Sequence, residues 1–346
     1  MSVSFPRKVM LFVVEIGMQV LWLIDRVTNF DARELFGFFK RFILGAIVIF
    51  SILFLGYSLY SGYLNKLAEV LFIDRISPVK NAVVYYPTIV RNIPRPAITA
   101  KSAFAIDKEG GGIPQKGKIV FEKDSNLKLA PASTVKLMTA LVALNLYGPE
   151  EVLSVSKTCT EVESTKAWFP KESKYRVRDL VYSMLVGSEG DAACVLSSGK
   201  VNNGQFVDLM NKKAQELKMT STYFSNPIGL DYINVANFST AEDLYKLASF
   251  AVSVPVIQDA VKTPVYIVTS VDKKFTVTLF NTNKLLWEVS GTVGVKTGTT
   301  TDAGEVLIYE YKDKLKDIFI IVMGSTNRFA DTKAVLDWIN QSYVWE

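Results

Sequence analysis

The chain has 346 residues, a hydrophobic content of 49% and a formal net charge of +5. It contains no histidine, which excludes Ser-His-Asp and Cys-His catalysis and most catalytic zinc sites. The modest positive charge forms no concentrated basic stripe, so the sequence predicts no nucleic-acid partner, and we expect no cofactor and no metal.

An apolar segment, residues 43–64, is the first predicted element that could cross a membrane. Its 22 residues carry no charge, which suffices to span a bilayer as one helix. Basic residues are retained on the cytoplasmic side, and those that precede the segment are Arg7, Lys8, Arg26, Arg33, Lys40 and Arg41. The sequence therefore predicts an uncleaved signal anchor of a single-pass cell-membrane protein, with residues 1–42 in the cytoplasm and the C-terminal part outside.

A second apolar stretch, residues 9–24, precedes this predicted anchor. It is short for a span and contains Glu15 and Gln19, so we favour an amphipathic helix that lies on the inner leaflet. In the alternative, this stretch also spans the membrane and the C-terminal part returns to the cytoplasm.

Residues 65–100 are predicted to form an extracytoplasmic stalk, because no long hydrophobic period is present there. Short strands such as residues 81–86 could pack on the domain that follows. Four prolines interrupt the segment: Pro78, Pro87, Pro94 and Pro96. From residue 101 the composition becomes globular, and residues 101–346 are expected to form one domain.

Within this domain, groups of strands lie before and after a helical middle. Two strands joined by a glycine-rich turn are predicted within 102–112 and 117–123. Helical periodicity marks 176–187, 204–217 and 239–252. Further strands are predicted at 274–280, 291–300, 305–311 and 317–325, with a polar hairpin turn at 312–317. This order predicts an α/β sandwich with a mainly antiparallel sheet flanked by helices.

The two cysteines, Cys159 and Cys194, both lie in the helical middle. A disulfide between them would fit an extracellular location, and two buried free thiols explain the sequence equally well. The sequence leaves this choice open.

The pattern Ser-x-x-Lys occurs six times, so the pattern alone does not identify a site. The copies begin at Ser77, Ser125, Ser133, Ser154, Ser197 and Ser270. Only Ser133 stands at the start of a helix that is apolar on almost all faces, which predicts a buried central helix. The other five copies lie in polar, stalk or turn segments, and each is interpreted as a capping serine followed by a lysine that reaches solvent.

Ser133 and Lys136 are predicted to act as nucleophile and general base. Residues three apart on a helix lie on the same side. A lysine held beside a buried helix loses hydration, so its neutral form becomes accessible and can accept the serine proton. The simpler alternative is a serine helix cap followed by a lysine that reaches solvent.

The tripeptide Lys296-Thr297-Gly298 occurs once, on a predicted strand that continues into Thr299. A glycine on a strand lets another backbone or a substrate approach closely. Lysine and threonine side chains at this position can hold a carboxylate. Without further context, a strand that ends at Gly298 would be the default interpretation.

The order of these motifs resembles that of penicillin-binding proteins and serine β-lactamases. The surrounding segments are similar to the serine D-alanyl-D-alanine carboxypeptidases of low molecular mass, from about residue 101 to 339. The similar segments are "LAPASTVKLMTALVAL", "STYFSNPIGLD", "STAEDLYKLA" and "FNTNKLLWEVSGTVGVKTGTTTDAGEVLI". The resemblance implies the β-lactamase/transpeptidase-like fold, a peptidoglycan stem peptide as substrate and β-lactams as inhibitors.

The resemblance also implies roles for individual residues. Ser133 attacks the carbonyl of a D-Ala-D-Ala bond and becomes acylated, while Lys136 accepts its proton. Ser188 links the two lysines and passes a proton to the leaving D-alanine. Backbone N–H groups of Ser133 and Thr299 stabilise the oxyanion. Lys296 holds the terminal carboxylate together with Thr297 and Thr299.

The second motif departs from the Ser-x-Asn pattern of the family, because the chain has Ser188-Glu189-Gly190 there. Gly190 thus takes the place of an asparagine that would hold the acyl side of the substrate and orient the first lysine. One lost hydrogen bond of this kind costs about 1.5–3 kcal/mol, or roughly ten- to a hundredfold in rate. We expect Glu189 to be a solvated loop residue.

Two further departures concern Ile228, which stands where the family often has histidine, and the only literal Ser-x-Asn, Ser325-Thr326-Asn327. The latter follows the Lys-Thr-Gly motif, so its order is wrong and we reject it as the second motif.

The favoured function is therefore a serine-type D-Ala-D-Ala carboxypeptidase. A catalytically weak protein that binds the cell wall is the main alternative, because Gly190 lacks the amide. A D,D-endopeptidase or a β-lactamase on the same fold is the other, although no dedicated deacylating base is identifiable for a β-lactamase.

Overall fold

The structure is a computed structural model that describes residues 87–91, 93–108, 117–231 and 236–346, together with the single helical positions Glu15, Met18, Gln19 and Phe54. The chain divides into two units, Met1–Ala82 and Val83–Glu346. Apart from Phe54, the predicted anchor at 43–64 lies outside the described residues, as do most of the stretch 9–24 and the first part of the predicted stalk. No single helix in the described part has the length and hydropathy of a membrane span, but one bent helix pair, Ala241–Ala251 with Pro255–Lys262, meets that test together.

An antiparallel sheet of five strands, in the order β3-β2-β10-β9-β8, forms the centre of the second unit. Shorter pairs, β1-β11, β4-β5 and β6-β7, complete the strands of the described part. The strands are β1 Pro87–Ile89, β2 Ser102–Asp107, β3 Lys118–Lys123, β4 Val152–Ser154, β5 Lys174–Arg176, β6 Val265–Thr269, β7 Thr276–Phe280, β8 Thr292–Thr300, β9 Gly304–Lys312, β10 Asp317–Ser325 and β11 Tyr343–Trp345. The strands predicted on both sides of a helical middle are thus present.

The middle strand of this sheet, β10, is apolar along its length because both of its faces are covered. Phe319 and Ile321 pack into the larger core, which the helices of the middle segment share. Ile318 and Ile320 join a second core beneath the last helix. Alternate residues of a strand point to opposite faces, so one strand supplies both cores and fixes the sandwich.

The helices lie mainly between β3 and β8 in the chain. They are α1 Lys136–Leu146, α2 Lys157–Thr160, α3 Val177–Val186, α4 Gly190–Ser198, α5 Asn203–Glu216, α6 Ala241–Ala251, α7 Pro255–Lys262, α8 Leu285–Glu288 and α9 Arg328–Ser342. The predicted central helix is confirmed, because every residue of α1 from Lys136 to Ala143 is buried. A 3₁₀ turn, Ala132–Val135, leads into α1 and carries Ser133.

The compact unit begins earlier than the domain start predicted at residue 101. Strand β1 pairs with β11 at the other end of the chain, so that Pro87 lies opposite Trp345. Thr99 is also tied to the fold, since its hydroxyl donates to the Asp331 carboxylate over 2.8 Å. The last part of the predicted stalk therefore overlaps the compact unit.

Candidate active site

Ser133 is presented by a turn against which two glycines pack. Ala132, just before it, has a positive φ of 49°, a conformation that costs energy for a residue with a side chain. A Cβ atom at Gly229 would lie 2.2 Å from the Ala132 carbonyl oxygen. A Cβ atom at Gly298 would lie 2.9 Å from the Ala132 Cβ and 3.0 Å from the Ser133 nitrogen. Both positions need glycine because the Ser133 backbone passes so close.

Lys136 faces Ser133 from the first position of α1 and is fully buried. Its Nζ donates to Ser133 Oγ and to the Ile228 carbonyl, each over 2.8 Å. Asn226 fixes that carbonyl, because its Oδ1 accepts from the backbone N–H groups of Ile228 and Gly229. Ile228 therefore serves the lysine through its backbone, which explains why a side chain without polar atoms is tolerated there.

The charge state of Lys136 suits a general base near neutral pH. Burial lowers its pKa from the ordinary value of 10.5 to about 7, and the nearby Glu189 and Asp191 oppose this shift. A substantial fraction of the amine is therefore unprotonated at pH 7, while it lies within hydrogen-bonding distance of the serine hydroxyl.

The second lysine, Lys296, extends from β8 and is also buried. Its Nζ donates to Ser188 Oγ over 2.8 Å and to the Thr297 carbonyl over 3.2 Å. Ser188 has a positive φ of 66° in the loop between α3 and α4. Ser188 is predicted to link the two lysines. In the structure it bonds Lys296, and the hydrogen bonds of Lys136 go to Ser133 and Ile228 instead.

Lys296 and Lys136 influence each other electrostatically. Burial lowers the pKa of Lys296 well below its usual value, and the positive charges of Lys136 and Arg328 lower it further, with Glu189 opposing. A carboxylate bound beside Lys296 would favour the charged ammonium and reverse this shift. The surroundings of Lys296 thus favour the binding of an anion.

The two threonines at the Lys-Thr-Gly motif, Thr297 and Thr299, differ in their exposure to solvent. The Thr297 hydroxyl is buried and lies 2.6 Å from that of Thr282, whereas Thr299 is exposed. Arg328, the first residue of α9, donates through Nη1 to the Gly298 carbonyl over 2.8 Å and also to the Thr299 hydroxyl. Sequence reasoning missed this third cation. The one cue in the sequence is that Arg328 directly follows the rejected Ser325-Thr326-Asn327.

That rejected tripeptide has a structural role, as its order in the chain indicated. Ser325 Oγ donates to the Asp331 carboxylate over 2.7 Å. The Asn327 side chain accepts from the Ala330 N–H and caps α9. Both side chains stabilise the start of the last helix, so neither is free to bind a substrate.

Glu189 is buried, and the expectation of a solvated loop residue is wrong. Its side chain folds back over Gly187, where a Cβ atom would lie 2.3 Å from Glu189 Oε1. Its Oε2 is buried without a hydrogen-bond partner. Burial and the neighbouring Asp191 raise its pKa to about 8, while Lys136 and Lys296 oppose the shift. Glu189 thus lies near both lysines, and Asp191 lies near Lys136.

Gly190 begins α4 and is buried at the same end of the site. Its N–H donates to the Thr165 carbonyl over 2.7 Å. The two cysteines form a disulfide, Cys159–Cys194, with a Cα–Cα distance of 5.4 Å. The choice that the sequence left open is thus resolved in favour of the covalent bond, which joins α2 to α4.

The other described Ser-x-x-Lys copies lack this geometry. Their lysines are all exposed: Lys128, Lys157, Lys200 and Lys273. Their serines bond instead to neighbouring groups, as when Ser125 donates to Glu122 and Ser197 to the Cys194 carbonyl. The copy at Ser77 lies outside the described residues. Burial of the lysine is therefore what distinguishes Lys136.

Ser133, Lys136, Ser188 and Lys296 thus converge, with Gly190, Thr297, Gly298 and Thr299 beside them. Within the described ranges, no group of three acidic, cysteine or histidine side chains is arranged to hold a metal ion. The site offers a serine hydroxyl next to an amine whose pKa is lowered to about 7, and a second lysine and an arginine that favour an anion nearby. This combination is suited to acyl transfer from a substrate that carries a carboxylate.

Sequence comparisons agree with this chemistry. The sequence model of the family described as D-alanyl-D-alanine carboxypeptidase matches residues 90–327. The chain is 29% identical over 256 residues to the D-alanyl-D-alanine carboxypeptidase DacF of Bacillus subtilis, covering 70% of this chain and 63% of the relative. It is 30% identical to a D-alanyl-D-alanine endopeptidase of Escherichia coli, with 72% and 80% covered. The chain thus spans less than two thirds of DacF.

Solved structures agree as well. The Streptomyces K15 DD-transpeptidase has a TM-score of 0.66 at 27% identity, and the match covers 72% of this chain and all of that one. The ampicillin-bound penicillin-binding protein D2 of Listeria monocytogenes has a TM-score of 0.62 at 28% identity, with 72% and 100% covered.

Proposed function

The chain belongs to the D-alanyl-D-alanine carboxypeptidase family, and on that premise we propose that it removes the terminal D-alanine of peptidoglycan stem peptides through an acyl-enzyme on Ser133. Family membership makes it a serine hydrolase with the mixed α/β fold of the penicillin-binding peptidases. One observation carries the proposal. Lys136 is buried and donates to Ser133 over 2.8 Å, while Gly298 brings the Lys296 strand against the same turn.

The first half of the reaction forms the acyl-enzyme. The neutral amine of Lys136 accepts the Ser133 proton as Oγ attacks the carbonyl carbon of the D-Ala-D-Ala bond. The resulting oxyanion is stabilised by the backbone N–H groups of Ser133 and Thr299. The C–N bond then breaks, and D-alanine leaves after its nitrogen takes a proton through Lys136 and Ser188. In the second half, water attacks the ester carbonyl and the bond between the acyl carbon and Ser133 Oγ breaks. Oγ regains a proton from the water, and the shortened peptide leaves with a new carboxyl group.

The terminal carboxylate of the substrate is assigned to the Lys296 end of the groove. Arg328 lies there and donates to the hydroxyl of the exposed Thr299, and Lys296 becomes charged when a bound carboxylate raises its lowered pKa. Binding of the carboxylate raises the pKa of Lys296 and so favours its charged form. The charged lysine in turn binds the carboxylate more tightly. A β-lactam carries a carboxylate and a reactive amide, so it is expected to acylate Ser133 in the same way.

Release of D-alanine from a pentapeptide by the purified full-length protein tests this proposal. The wild type should release D-alanine, Ser133→Ala should release none above background, and Ser154→Ala should match the wild type. Ser154 is a fair control because it begins an exposed Ser-x-x-Lys copy. Binding of the pentapeptide without release would favour the alternative of a catalytically weak wall-binding protein.

D,D-endopeptidase activity is a second candidate, because relatives at 30% identity from Escherichia coli and Pseudomonas aeruginosa are named D-alanyl-D-alanine endopeptidases. A cross-linked peptide dimer distinguishes the two reactions. Cleavage of the dimer faster than release of D-alanine from the pentapeptide would establish endopeptidase activity as the main reaction. The reverse order supports the carboxypeptidase.

We also infer that residues 43–64 anchor the protein in the cell membrane with the peptidase unit outside. The uncharged segment and the basic residues before it support this topology. The Cys159–Cys194 disulfide supports it too, because such bonds persist mainly in oxidising compartments. Protease added to intact spheroplasts should digest the peptidase unit. Full protection, with digestion only after lysis, would place the unit inside the cell.

A further inference from the structure

The space beside Gly190 is filled by Ser164, a residue from a different part of the chain. A Cβ atom at Gly190 would lie 2.4 Å from Ser164 Cβ and 2.6 Å from Ser164 Oγ. The Ile228 side chain closes the same space at 3.4 Å. No side chain can therefore stand at position 190 while Ser164 keeps its place, and a hydroxyl occupies the volume that such a side chain would use.

The segment that carries Ser164 is fastened to α4 at several points. The Gly190 N–H donates to the Thr165 carbonyl over 2.7 Å. The buried carboxylate of Asp191 accepts from the N–H groups of Ala167 and Phe169, over 3.2 Å and 3.4 Å. The disulfide described above joins the start of the segment to the same helix. Ser164 is thus held in position by its backbone neighbours.

The Ser164 hydroxyl has no intramolecular task. None of the hydrogen bonds among the described residues involves its Oγ, and the side chain is partly exposed. The same space beside Gly190 is bordered by Ile228, the residue whose carbonyl binds Lys136. A free hydroxyl, which can both donate and accept, therefore lies at the end of the site where the proposed general base is held.

We propose that Ser164 is a substrate-binding residue that hydrogen-bonds an amide of the peptide on the acyl side of the scissile bond. The terminal carboxylate of the departing D-alanine is assigned to Lys296, Thr299 and Arg328. The part of the peptide that stays on the acyl-enzyme is therefore assigned to the end of the site at Gly190. This inference rests on the proposed peptidase function. In this chain a hydroxyl from one segment takes the place of a side chain from another.

Two β-lactams separate this role from a merely structural one. Benzylpenicillin carries an acylamino side chain with an amide, whereas 6-aminopenicillanic acid has only an amine at that position. For Ser164→Ala in the full-length protein, we expect acylation by benzylpenicillin and release of D-alanine from the pentapeptide to fall about tenfold, the effect of one lost hydrogen bond. Acylation by 6-aminopenicillanic acid should stay unchanged, as should the melting temperature.

A matched control removes another hydroxyl from the same segment. Ser173→Ala deletes a hydroxyl that bonds the Pro170 carbonyl, away from Gly190. It should leave the rates with all three substrates unchanged.

A second test moves the polar side chain from position 164 to position 190. Gly190→Asn alone should reduce acylation by benzylpenicillin, because its side chain meets Ser164. The double variant Ser164→Gly with Gly190→Asn removes that obstruction and supplies a polar group from α4 instead. It should acylate faster than either single variant.

If the wild type is acylated by neither β-lactam and releases no D-alanine, the proposed function and this inference both fall. If the wild type reacts and Ser164→Ala reacts equally fast with all substrates, only this inference is overturned. An equal loss with both β-lactams, or a double variant slower than Gly190→Asn, would also overturn it.

Discussion

On one side of the site, Ser133 and Lys136 lie three residues apart and meet through the geometry of a single turn and helix. On the other side, Gly190 and Ser164 are distant in the chain and meet only because a cross-linked segment folds over α4. The first side follows the pattern of its family and the second departs from it. The nucleophile and its base are therefore positioned by local spacing, while the surface beside Gly190 is set by tertiary packing.

The largest effect should come from the base on the first side. Lys136→Met keeps a long apolar stem in the buried site but removes the amine, so acylation by benzylpenicillin should fall about 10²- to 10⁴-fold, the usual contribution of a general base. The rate of covalent labelling measures this effect. Lys157→Met, in an exposed copy of the motif, is the control and should keep the wild-type rate. A loss of less than about threefold at Lys136 would exclude it as the base.

The close approach of β8 to the Ser133 turn gives the next largest effect. Gly298→Ala would place a methyl group 3.0 Å from the Ser133 nitrogen. Overpacking of this kind costs about 1–3 kcal/mol, so the acylation rate should fall about ten- to a hundredfold. Gly148→Ala is a suitable control, since nothing lies within 4 Å of the Cβ it would add. Equal rates for both variants would show that the strand and the turn are less closely coupled than described.

The buried carboxyl of Glu189 connects the two sides and should have the smallest effect. Activity should rise with pH through about 7, as Lys136 loses its proton. The ionised form of Glu189 raises the pKa of Lys136, but the pKa of Glu189 itself is raised to about 8, so only part of this charge is present near pH 7. Glu189→Gln should therefore lower the pKa of Lys136 slightly and move the acidic limb of the kcat/KM profile to lower pH. Asp191 and Lys296 remain as the other charged neighbours.

The change in rate at neutral pH should stay below about tenfold. Glu163→Gln, an exposed carboxyl in the segment that carries Ser164, is the control and should leave the profile in place. A limb that does not move, or that moves to higher pH in Glu189→Gln, would contradict the electrostatic coupling.

Much of the first side could be predicted from the sequence, because its cues are local. The apolar helix after Ser133 predicts a buried Lys136, and strand periodicity places Lys296 on the sheet. The apolar run at residues 317–325 likewise predicts a strand, which the structure shows as β10. These inferences need only the repeat of a helix or a strand and the order of the elements.

The second side could not be predicted, because its cues are not local. The sequence around Glu189 is that of a polar loop, and only the packing of the loop against the two lysines buries the carboxyl. Ser164 shows no motif, and its meeting with Gly190 depends on the disulfide and on Asp191. Arg328 reaches β8 only because α9 begins beside that strand. Each of these features requires the complete fold.

The mass of the intact full-length protein after treatment with benzylpenicillin tests the central claim most directly. The wild type should gain the mass of one β-lactam, and Ser133→Ala should gain none while keeping the wild-type melting temperature. An unmodified wild type, or an adduct that persists in Ser133→Ala, would contradict the account of a serine made nucleophilic by a buried amine.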